Sequence, residues 1–250
     1  MIADKHNMHQ EQNEYPMRLN KYLAHQGTAS RREADALIEQ GLVLVNGKVA
    51  QLGTKVQEHD TVTLQNASVA KEKKYLAYYK GRGIITHSPS EGETDIAMRL
   101  KKDYSVSDVY PVGRLDKDSE GLLILTNDGR ITGPLLDPKA RHEKEYLVTV
   151  DKPVTGYFLQ KLEHGVSIEG YMTKPARAQK HEKNKLMFAL TLTEGKKHQI
   201  RRMCAALGYQ VQSLKRVRIE NILLGDLKPN QFRALKGTEL SEFLAKLNVR

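Results

Sequence analysis

The fold is indicated most clearly by one stretch of the sequence, Gly113-Arg-Leu-Asp-Lys-Asp-Ser-Glu-Gly-Leu-Leu-Ile-Leu-Thr-Asn-Asp-Gly129. Its first half is a polar loop that is rich in carboxylates. Its second half contains the apolar run Leu122–Leu125, which predicts a buried strand, and Asn127-Asp128-Gly129 predicts the turn that ends it. Because catalytic groups often lie on loops held by a rigid element, the carboxylates of this loop are candidates for chemistry.

Strands and helices are predicted on both sides of this stretch, in an irregular order. Further strand-like runs occur at Tyr75–Tyr79, Gly83–Thr86, Tyr146–Val150 and Leu186–Leu192, and helical periodicity occurs near Thr155–Glu163, Gln199–Leu207 and Leu240–Leu247. A parallel α/β fold would alternate strands and helices evenly. The sequence therefore predicts an α+β domain over residues 74–250, with a mixed, largely antiparallel sheet.

The N-terminal segment has a different pattern, which predicts two short helices followed by a small β-ribbon. Leu19 and Leu23 recur at helical spacing, and Ser30-Arg-Arg-Glu33 fits the capping box of a second helix. Asn46-Gly47 predicts a tight hairpin. We assign this unit to residues 17–66, with a polar, aperiodic tail at residues 1–16 and a linker at residues 67–73.

The composition limits the classes of function. The 250 residues carry 40 Lys and Arg against 30 Asp and Glu, a net charge of +10 that favours a polyanionic partner such as nucleic acid. No apolar run approaches the roughly 18 residues of a membrane span, and the first residues lack the apolar segment of a secretory signal. A single cysteine, Cys204, excludes internal disulfides and a Cys-based zinc cage. These features predict a cytoplasmic protein that does not bind membranes.

The carboxylate-rich loop allows several interpretations from its residues alone. The opening Asp116-x-Asp118-x-Glu120-Gly121 resembles a calcium loop, but the twelfth position is Asn127, which cannot supply a bidentate carboxylate. A glycosidase would need two carboxyl groups roughly 5–9 Å apart on opposite sides of a sugar, which neighbours on a short loop reach with difficulty. Solvation of a turn is the third interpretation. The calcium site is rejected, and the other two stay open at this point.

Three motifs stand out in the N-terminal segment: Arg18-Leu-Asn-Lys-Tyr-Leu23, Ser30-Arg-Arg-Glu-Ala-Asp35 and Val45-Asn-Gly-Lys48. Together they resemble the S4 RNA-binding module. Lys21, Arg31 and Arg32 lie near the predicted helix starts, where side-chain cations and unsatisfied backbone amides could both meet an RNA phosphate.

Four further segments occur in a fixed order: Gly113–Leu123, Glu143-Lys-Glu-Tyr-Leu-Val-Thr-Val150, Glu194-Gly-Lys-Lys-His-Gln-Ile-Arg-Arg-Met203, and Leu207-Gly-Tyr209 with Leu214-Lys-Arg-Val-Arg-Ile219. They resemble the pseudouridine synthases of the RsuA family, in the branch of RluB, RluE and RluF, and the RluF type most closely. One departure exists, because the family usually has Asn-Lys-Pro where this chain has Tyr79-Lys-Gly81.

The resemblance implies isomerisation of a uridine to pseudouridine in a structured RNA, with 23S ribosomal RNA expected and transfer RNA as an alternative. It implies no cofactor and no metal, and we expect a monomer. Asp116 would be the essential carboxylate and Arg201 its partner, since a guanidinium favours the ionised acid. Tyr146 would stack on the uracil.

The same resemblance gives further residues a role in binding the substrate. Arg114 would support the flipped nucleotide, and Leu214 would pack under the uracil. The residues left as candidates for RNA phosphates in this domain are Lys144, Arg202, Arg216 and Arg218. A non-catalytic RNA-binding or ribosome-assembly factor with an S4 module is the alternative function.

Overall fold

The computed structural model describes residues 15–26, 28–29, 31–65 and 72–249, with the side chain of Arg32 outside this description. The predicted tail up to residue 14, the predicted linker residues 67–71, Gly27 and Ser30 lie outside the described residues. The chain forms two compact units, one ending at Glu72 and the other beginning at Lys73. No helix within the described part is long and apolar enough to cross a membrane.

The first unit consists of two short helices and a small β-ribbon. Its elements are β1 (Met17–Arg18), α1 (Leu19–His25), α2 (Arg31–Glu39), β2 (Val43–Val45), β3 (Lys48–Val49), β4 (Lys55–Val56) and β5 (Val62–Leu64). Strand β2 pairs antiparallel with both β3 and β5, and Asn46 and Gly47 take the positive φ angles of the hairpin that joins β2 to β3. Leu19 and Leu23 of α1 pack on Ala34 and Ile38 of α2. The predicted architecture of this unit is confirmed.

The second unit is built on one large sheet. Its strands are β6 (Tyr75–Lys80), β7 (Tyr110–Val112), β8 (Glu120–Thr126), β9 (Lys144–Val150), β10 (Ser167–Ile168), β11 (Tyr171–Met172), β12 (Arg177–Lys180), β13 (Met187–Leu192), β14 (Val211–Ile219), β15 (Ile222–Leu223) and β16 (Phe232–Ala234). Its helices are α3 (Ile96–Tyr104), α4 (Thr132–Leu136), α5 (Gly156–His164), α6 (Gln199–Ala206) and α7 (Gly237–Lys246), with a 3₁₀ turn at Gly129–Ile131.

The sheet runs in the order β12-β13-β9-β14-β8-β6-β16, with β15 added to β14 and β7 added to β8. The pair β14–β8 is parallel, and the other pairs of this sheet are antiparallel. The predicted α+β class with a mixed, largely antiparallel sheet is therefore confirmed. The two hydrophobic cores of this unit lie on opposite faces of the sheet.

Strand β8 shows how both faces are filled, because its side chains alternate between the two cores. Leu123 and Leu125 join the core that includes Phe158 of α5 and Met203 of α6. Leu122 and Ile124 point to the other face and join the core that includes Leu135 of α4 and Phe243 of α7. Burial on both faces explains the uninterrupted apolar run, and each such side chain contributes roughly 1.5–3 kcal/mol to folding.

One predicted strand is wrong. The segment Gly83–Thr86 forms a loop, in which Ile85 makes an isolated bridge to Asp95. The reason is that its polar groups bond to irregular segments and to the start of α3, and not to a neighbouring strand. The Gly83 amide donates to the Lys117 carbonyl and the Thr86 hydroxyl to the Leu115 carbonyl, while the Ile85 amide donates to the Thr94 carbonyl. Helix α3 follows this loop, and the Asp95 side chain caps it by accepting from the Met98 amide.

Candidate active site

A cleft of about 880 Å³ lies in the second unit where the loop before β8 meets the β9–β14 pair and the start of α6. Six of the residues singled out from the sequence line it: Arg114, Asp116, Lys144, Tyr146, Leu214 and Arg216. These residues come from the loop before β8, from β9 and from β14, so the order of strands in the sheet is what brings them together.

The loop that carries Asp116 is held by hydrogen bonds on both sides of it. Thr86 is buried, and its hydroxyl both donates to the carbonyl of Leu115 at 2.7 Å and accepts from the amide of Leu115 at 3.1 Å. The Gly83 amide donates to the carbonyl of Lys117 at 2.8 Å. Within the loop, the Ser119 amide donates to the Asp116 carbonyl at 3.0 Å. The backbone that presents Asp116 is therefore fixed independently of any bound substrate.

Lys80, at the end of β6, also holds this loop by hydrogen bonds to its backbone. Its side chain is fully buried, and its ammonium group donates to the carbonyls of Ser119 at 2.7 Å, Gly81 at 3.0 Å and Lys117 at 3.4 Å. Burial lowers the pKa of Lys80 to about 8, and the carboxylates of the loop, with Asp116 the strongest, oppose that shift. The sequence analysis missed this role, although a lysine that closes a run of apolar strand residues was the available signal.

The Asp116 carboxylate itself is partly exposed and faces His198. The Asp116 Oδ1 lies 3.5 Å from the His198 Nε2. His198 precedes α6 in a left-handed conformation with φ of 53°, so its ring projects at the N-terminus of the helix. Both the imidazole and the helix dipole can stabilise an anion there. His198 is a second contributor that the sequence analysis did not identify, although it lies in the quoted Glu194–Met203 segment.

Arg201 does not make the expected ion pair with Asp116. Its guanidinium group donates to the carbonyls of Asp118 and Val211, each at 3.3 Å, and to the Ser119 hydroxyl at 3.5 Å. The reason is its position: Arg201 lies in the first turn of α6, beyond the N-terminal residue His198, and reaches the backbone of the loop instead of the Asp116 side chain. Arg201 thus links the loop that carries Asp116 to α6, on which Arg201 lies, and to Val211 of β14.

The start of α6 is fixed by a buried glutamate. The Glu194 carboxylate accepts hydrogen bonds from the side-chain amide of Gln199 at 2.6 Å, the hydroxyl of Tyr171 at 2.6 Å and the backbone amide of Lys174 at 3.0 Å. The Glu194 side chain is buried and all these donors belong to the protein, so we interpret it as structural. It sets the orientation of the helix that presents His198 and Arg201.

Tyr146 and Leu214 form an apolar part of the cleft. Their exposed fractions are 8% and 6%, and both belong to the core that α5 and α6 cover. Strands β9 and β14 place them close together, because Leu214 pairs with Val148 and Arg216 pairs with Tyr146. A flat ring inserted into the cleft would find an aromatic and an aliphatic side chain here, which suits stacking.

The remaining predicted cations lie in different surroundings. Arg218 is bound by carboxylates, with its Nε 2.8 Å from Glu145 and its Nη2 3.1 Å from Glu143. Arg202 pairs with Glu169 at 2.7 Å. Neither lines the cleft, so the structure does not bring these two together with Asp116.

In the first unit, Lys21 and Arg31 are exposed. They line a surface depression of about 630 Å³ together with Arg18 and Asn20. The structure thus brings two of the three cations predicted for this unit onto one surface. Arg32 is the third, and its side chain lies outside the described residues.

The comparisons with known proteins agree with this architecture. The family model described as RNA pseudouridylate synthase matches residues 74–206, and the S4 domain model matches residues 17–62. An S4 domain joined to such a catalytic domain defines an RNA-modifying isomerase. The chain belongs to the RNA pseudouridine synthases, and within them to the RsuA family.

Individual relatives cover most of the chain. It is 41% identical to the dual-specificity RNA pseudouridine synthase RluF of Escherichia coli K12, over 90% of this chain and 77% of that protein. It is 37% identical to the ribosomal large subunit pseudouridine synthase B of Bacillus subtilis, over 91% of this chain and 96% of that protein. A crystal structure of a pseudouridylate synthase superimposes with a TM-score of 0.66 at 29% identity and covers 92% of this chain and 99% of that one.

Proposed function

We propose that this synthase converts a specific uridine of a folded RNA, 23S ribosomal RNA first of all, and that Asp116 is its essential carboxylate. The observation that carries the proposal is the placement of Asp116 on a braced loop at the cleft that also contains Tyr146 and Leu214. The relatives support ribosomal RNA, because one is named for the large ribosomal subunit. Another is named as dual-specificity, which keeps transfer RNA as a second substrate to test.

The proposed reaction is an isomerisation that needs no redox partner or group donor. The N1–C1′ bond of the uridine breaks, the uracil rotates in the cleft, a C5–C1′ bond forms, and the C5 proton leaves as N1 gains a proton. The ionised Asp116 either attacks C1′, forming an ester that C5 later displaces, or removes the C2′ proton to give a glycal, to which C5 adds as Asp116 returns the proton to C2′. The His198 Nε2, at 3.5 Å from the Asp116 Oδ1, and the N-terminus of α6 lie where they can offset negative charge on this carboxylate.

The cleft residues take the following parts in the proposal. Tyr146 stacks on the uracil, and Leu214 packs on its other side. Arg114 is exposed at the rim of the cleft and occupies the place in the RNA helix from which the target nucleotide has flipped. Arg201 acts through the Asp116 loop that it braces.

The S4 unit and the outer cations position the RNA. The cations that contact phosphates in this proposal are Lys21, Arg31 and Arg32 in the S4 unit and Arg202 and Arg218 in the catalytic unit. Lys144 and Arg216 instead face the flipped nucleotide inside the cleft. Arg202 and Arg218 must exchange their carboxylate partners for phosphate to do so. We propose that the enzyme acts as a monomer in the cytoplasm.

The test is to locate modified uridines in RNA treated with the protein. Transcripts of 23S ribosomal RNA and of transfer RNA, each with 5-tritiated uridine, are incubated with the protein, and release of tritium from C5 is followed. Carbodiimide labelling and reverse transcription then locate the product. Tritium release with stops at defined uridines supports the proposal. Tight RNA binding without either signal would instead support a non-catalytic RNA-binding factor, and release of free base would support a glycosidase.

A further inference from the structure

Two cations in the cleft, the partly buried Lys144 and the buried Arg216, make no ion pair with a carboxylate. The Lys144 ammonium group donates to the carbonyl of His142 at 3.1 Å, and the Arg216 Nε donates to the carbonyl of Leu122 at 2.7 Å. The Arg216 Nη2 is buried and has no hydrogen-bond partner among the described residues, and the exposed fraction of Arg216 is only 4%. Within the described part of the chain, neither cation forms an ion pair, and the Glu220 carboxylate attracts Lys144 only at longer range.

The contrast with Arg218 shows that this arrangement is specific to the cleft. Arg218 is only two residues further along β14, and two glutamates and a carbonyl satisfy all three of its guanidinium nitrogens. Burial lowers the pKa of Lys144 to about 8, and the nearby charge of Arg216 adds to this shift. Two like charges that lie together at low exposure, with only the distant Glu220 carboxylate to offset them, are costly. A site with this charge is suited to an anionic ligand.

The position of the two cations identifies which part of the substrate they meet. Lys144 is two residues before Tyr146 on β9, so both side chains lie on the same face of the sheet. Arg216 is paired with Tyr146 in register and is two residues after Leu214 on β14. The two cations therefore adjoin the residues proposed to hold the uracil. RNA phosphates remain on the outer backbone when a nucleotide flips, where exposed cations such as Lys197 are available.

We propose that Lys144 and Arg216 form an anion site for the detached uracil, which they stabilise as the uracil anion between bond breakage and bond formation. This inference rests on the proposed function. When the N1–C1′ bond breaks, the electron pair stays on N1, and the negative charge spreads over the ring to O2 and O4. The planar guanidinium and the ammonium group donate to these oxygens. When C5 bonds to C1′, the base becomes neutral, and loss of the C5 proton with protonation of N1 completes the isomerisation.

This site also explains how the base is retained while it turns. A neutral ring held only by stacking between Tyr146 and Leu214 could leave the open cleft. An anion held by these two cations stays in place, and the cations tolerate rotation because the charge is shared by oxygens on both sides of N3. The interaction becomes strong only after the bond breaks, so it accelerates the chemical step and adds little to RNA affinity.

The test measures how the contribution of the cation depends on the leaving group. Lys144→Met removes the charge and keeps the length of the side chain, Arg216→Lys keeps the charge and removes the unpaired nitrogen, and Lys161→Met on α5 is a matched control outside the cleft. Single-turnover rates are measured as the loss of the starting nucleotide from RNA that carries uridine or 5-fluorouridine at the target, because the rearranged 5-fluoro base has no C5 proton to release. Fluorine withdraws electrons and stabilises the uracil anion. Cleavage of the N1–C1′ bond in the 5-fluorouridine RNA should therefore depend less on stabilisation by the two cations.

We expect Lys144→Met to slow the uridine reaction at least ~100-fold and the 5-fluorouridine reaction at most ~10-fold, with RNA affinity and its salt dependence unchanged. Arg216→Lys should show the same pattern with smaller losses. Equal losses on both substrates would overturn the proposal. A reduced salt dependence of binding would do the same, because it would assign the cations to a phosphate. If the wild-type protein forms no pseudouridine in the uridine RNA, the proposed function itself is wrong; if only the substitutions have no effect, the proposed function stands and this inference fails.

Discussion

The backbone amide of Gly81 donates a hydrogen bond of 3.1 Å to the side-chain oxygen of Asn230, which is 149 residues away in the sequence. Asn230 in turn donates from its own backbone amide to the carbonyl of Tyr79 at 2.7 Å. A proline at this position would have no amide hydrogen to donate. Asn230 therefore restrains the backbone beside Lys80 by a tertiary hydrogen bond that depends on the free amide of Gly81.

We predict that Gly81 and Asn230 are energetically coupled. Asn230→Gly should lower the free energy of unfolding by about 1–2 kcal/mol, because it leaves the partly buried Gly81 amide without its acceptor. Glycine is the suitable replacement because Asn230 has φ of 68°, which glycine adopts without strain. Urea denaturation measures the effect.

The double-mutant cycle provides the control. A Cβ atom at Gly81 would lie 2.8 Å from the Asn230 oxygen, so Gly81→Pro should be costly in the wild-type protein. In the Asn230→Gly protein the space beside Gly81 is open, and the Gly81 amide has already lost its acceptor, so proline removes no hydrogen bond. Gly81→Pro should therefore cost at least about 1 kcal/mol less in that protein. Strict additivity of the two changes would contradict the coupling.

Lys80 and Lys144 should make the protein more stable as the pH rises from about 8 to about 10. The pKa of each is lowered to about 8 in the folded protein, while the unfolded chain keeps its proton up to its ordinary value of 10.5. Between these values the unfolded state binds more protons, so each group raises the free energy of unfolding by at most about 1.4 kcal/mol per pH unit. Buried Tyr78 and Cys204, whose pKa values are raised to about 12, act in the opposite direction.

Substitution separates these contributions. Lys80→Met should remove the contribution of Lys80 to the increase in the free energy of unfolding between pH 8 and 10. The opposing effects of Tyr78 and Cys204 should remain. Urea denaturation at several pH values measures the difference from wild type. Lys80→Met should also lower turnover, because the carbonyls of Lys117 and Ser119 lose the group that fixes the Asp116 loop. An identical pH dependence in wild type and variant would show that Lys80 is not the titrating group.

The strands and the motifs could be predicted because their signals are local. The apolar run of β8 and the Asn46-Gly47 hairpin are fixed by neighbouring residues, and both appear where expected. The loop at Gly83–Thr86 could not be predicted, since its conformation depends on bonds to Leu115 and Lys117. The contact between His198 and Asp116 was missed for the same reason, because it joins two segments only when the sheet is assembled.

Gly121, at the start of β8, should not tolerate any side chain. It has φ of 110°, and a Cβ atom there would lie 2.2 Å from the carbonyl oxygen of Arg216 on the parallel strand β14. Gly121→Ala should therefore lower the free energy of unfolding by about 3–5 kcal/mol, because the backbones of the two strands must separate. Gly133→Ala in α4 is the control, with nothing within 4 Å of the added atom, and should be neutral or stabilise by about 0.5–1 kcal/mol. Similar thermal stabilities for the two variants would refute the close approach.

The S4 unit should contribute to RNA affinity through a small number of phosphate contacts. Lys21→Gln and Arg31→Gln should each reduce the slope of log affinity against log salt by about 0.7–0.9, the value expected for one phosphate contact. Lys48→Gln is the control, because Lys48 is an exposed cation on β3 that does not line the depression shared by Lys21 and Arg31. Filter binding over a range of salt concentrations gives the slopes. Equal changes for all three variants would indicate a diffuse charge effect and no defined RNA contact.

Asp116→Asn should separate chemistry from binding and folding. Asparagine has nearly the same shape, and the loop is held by its backbone and by Lys80 and Thr86, so the fold should persist. RNA affinity should stay the same or rise slightly, because one negative charge is removed from a cleft that faces phosphates. Single-turnover formation of pseudouridine should fall at least ~10³-fold, since the amide can neither attack C1′ nor remove the C2′ proton. Asp118→Asn is the matched control. It retains the backbone carbonyl that accepts from Arg201, so the rate of pseudouridine formation should fall far less than in Asp116→Asn. Equal losses at both positions would favour a pair of carboxylates acting together, and an active Asp116→Asn enzyme would remove Asp116 from the mechanism.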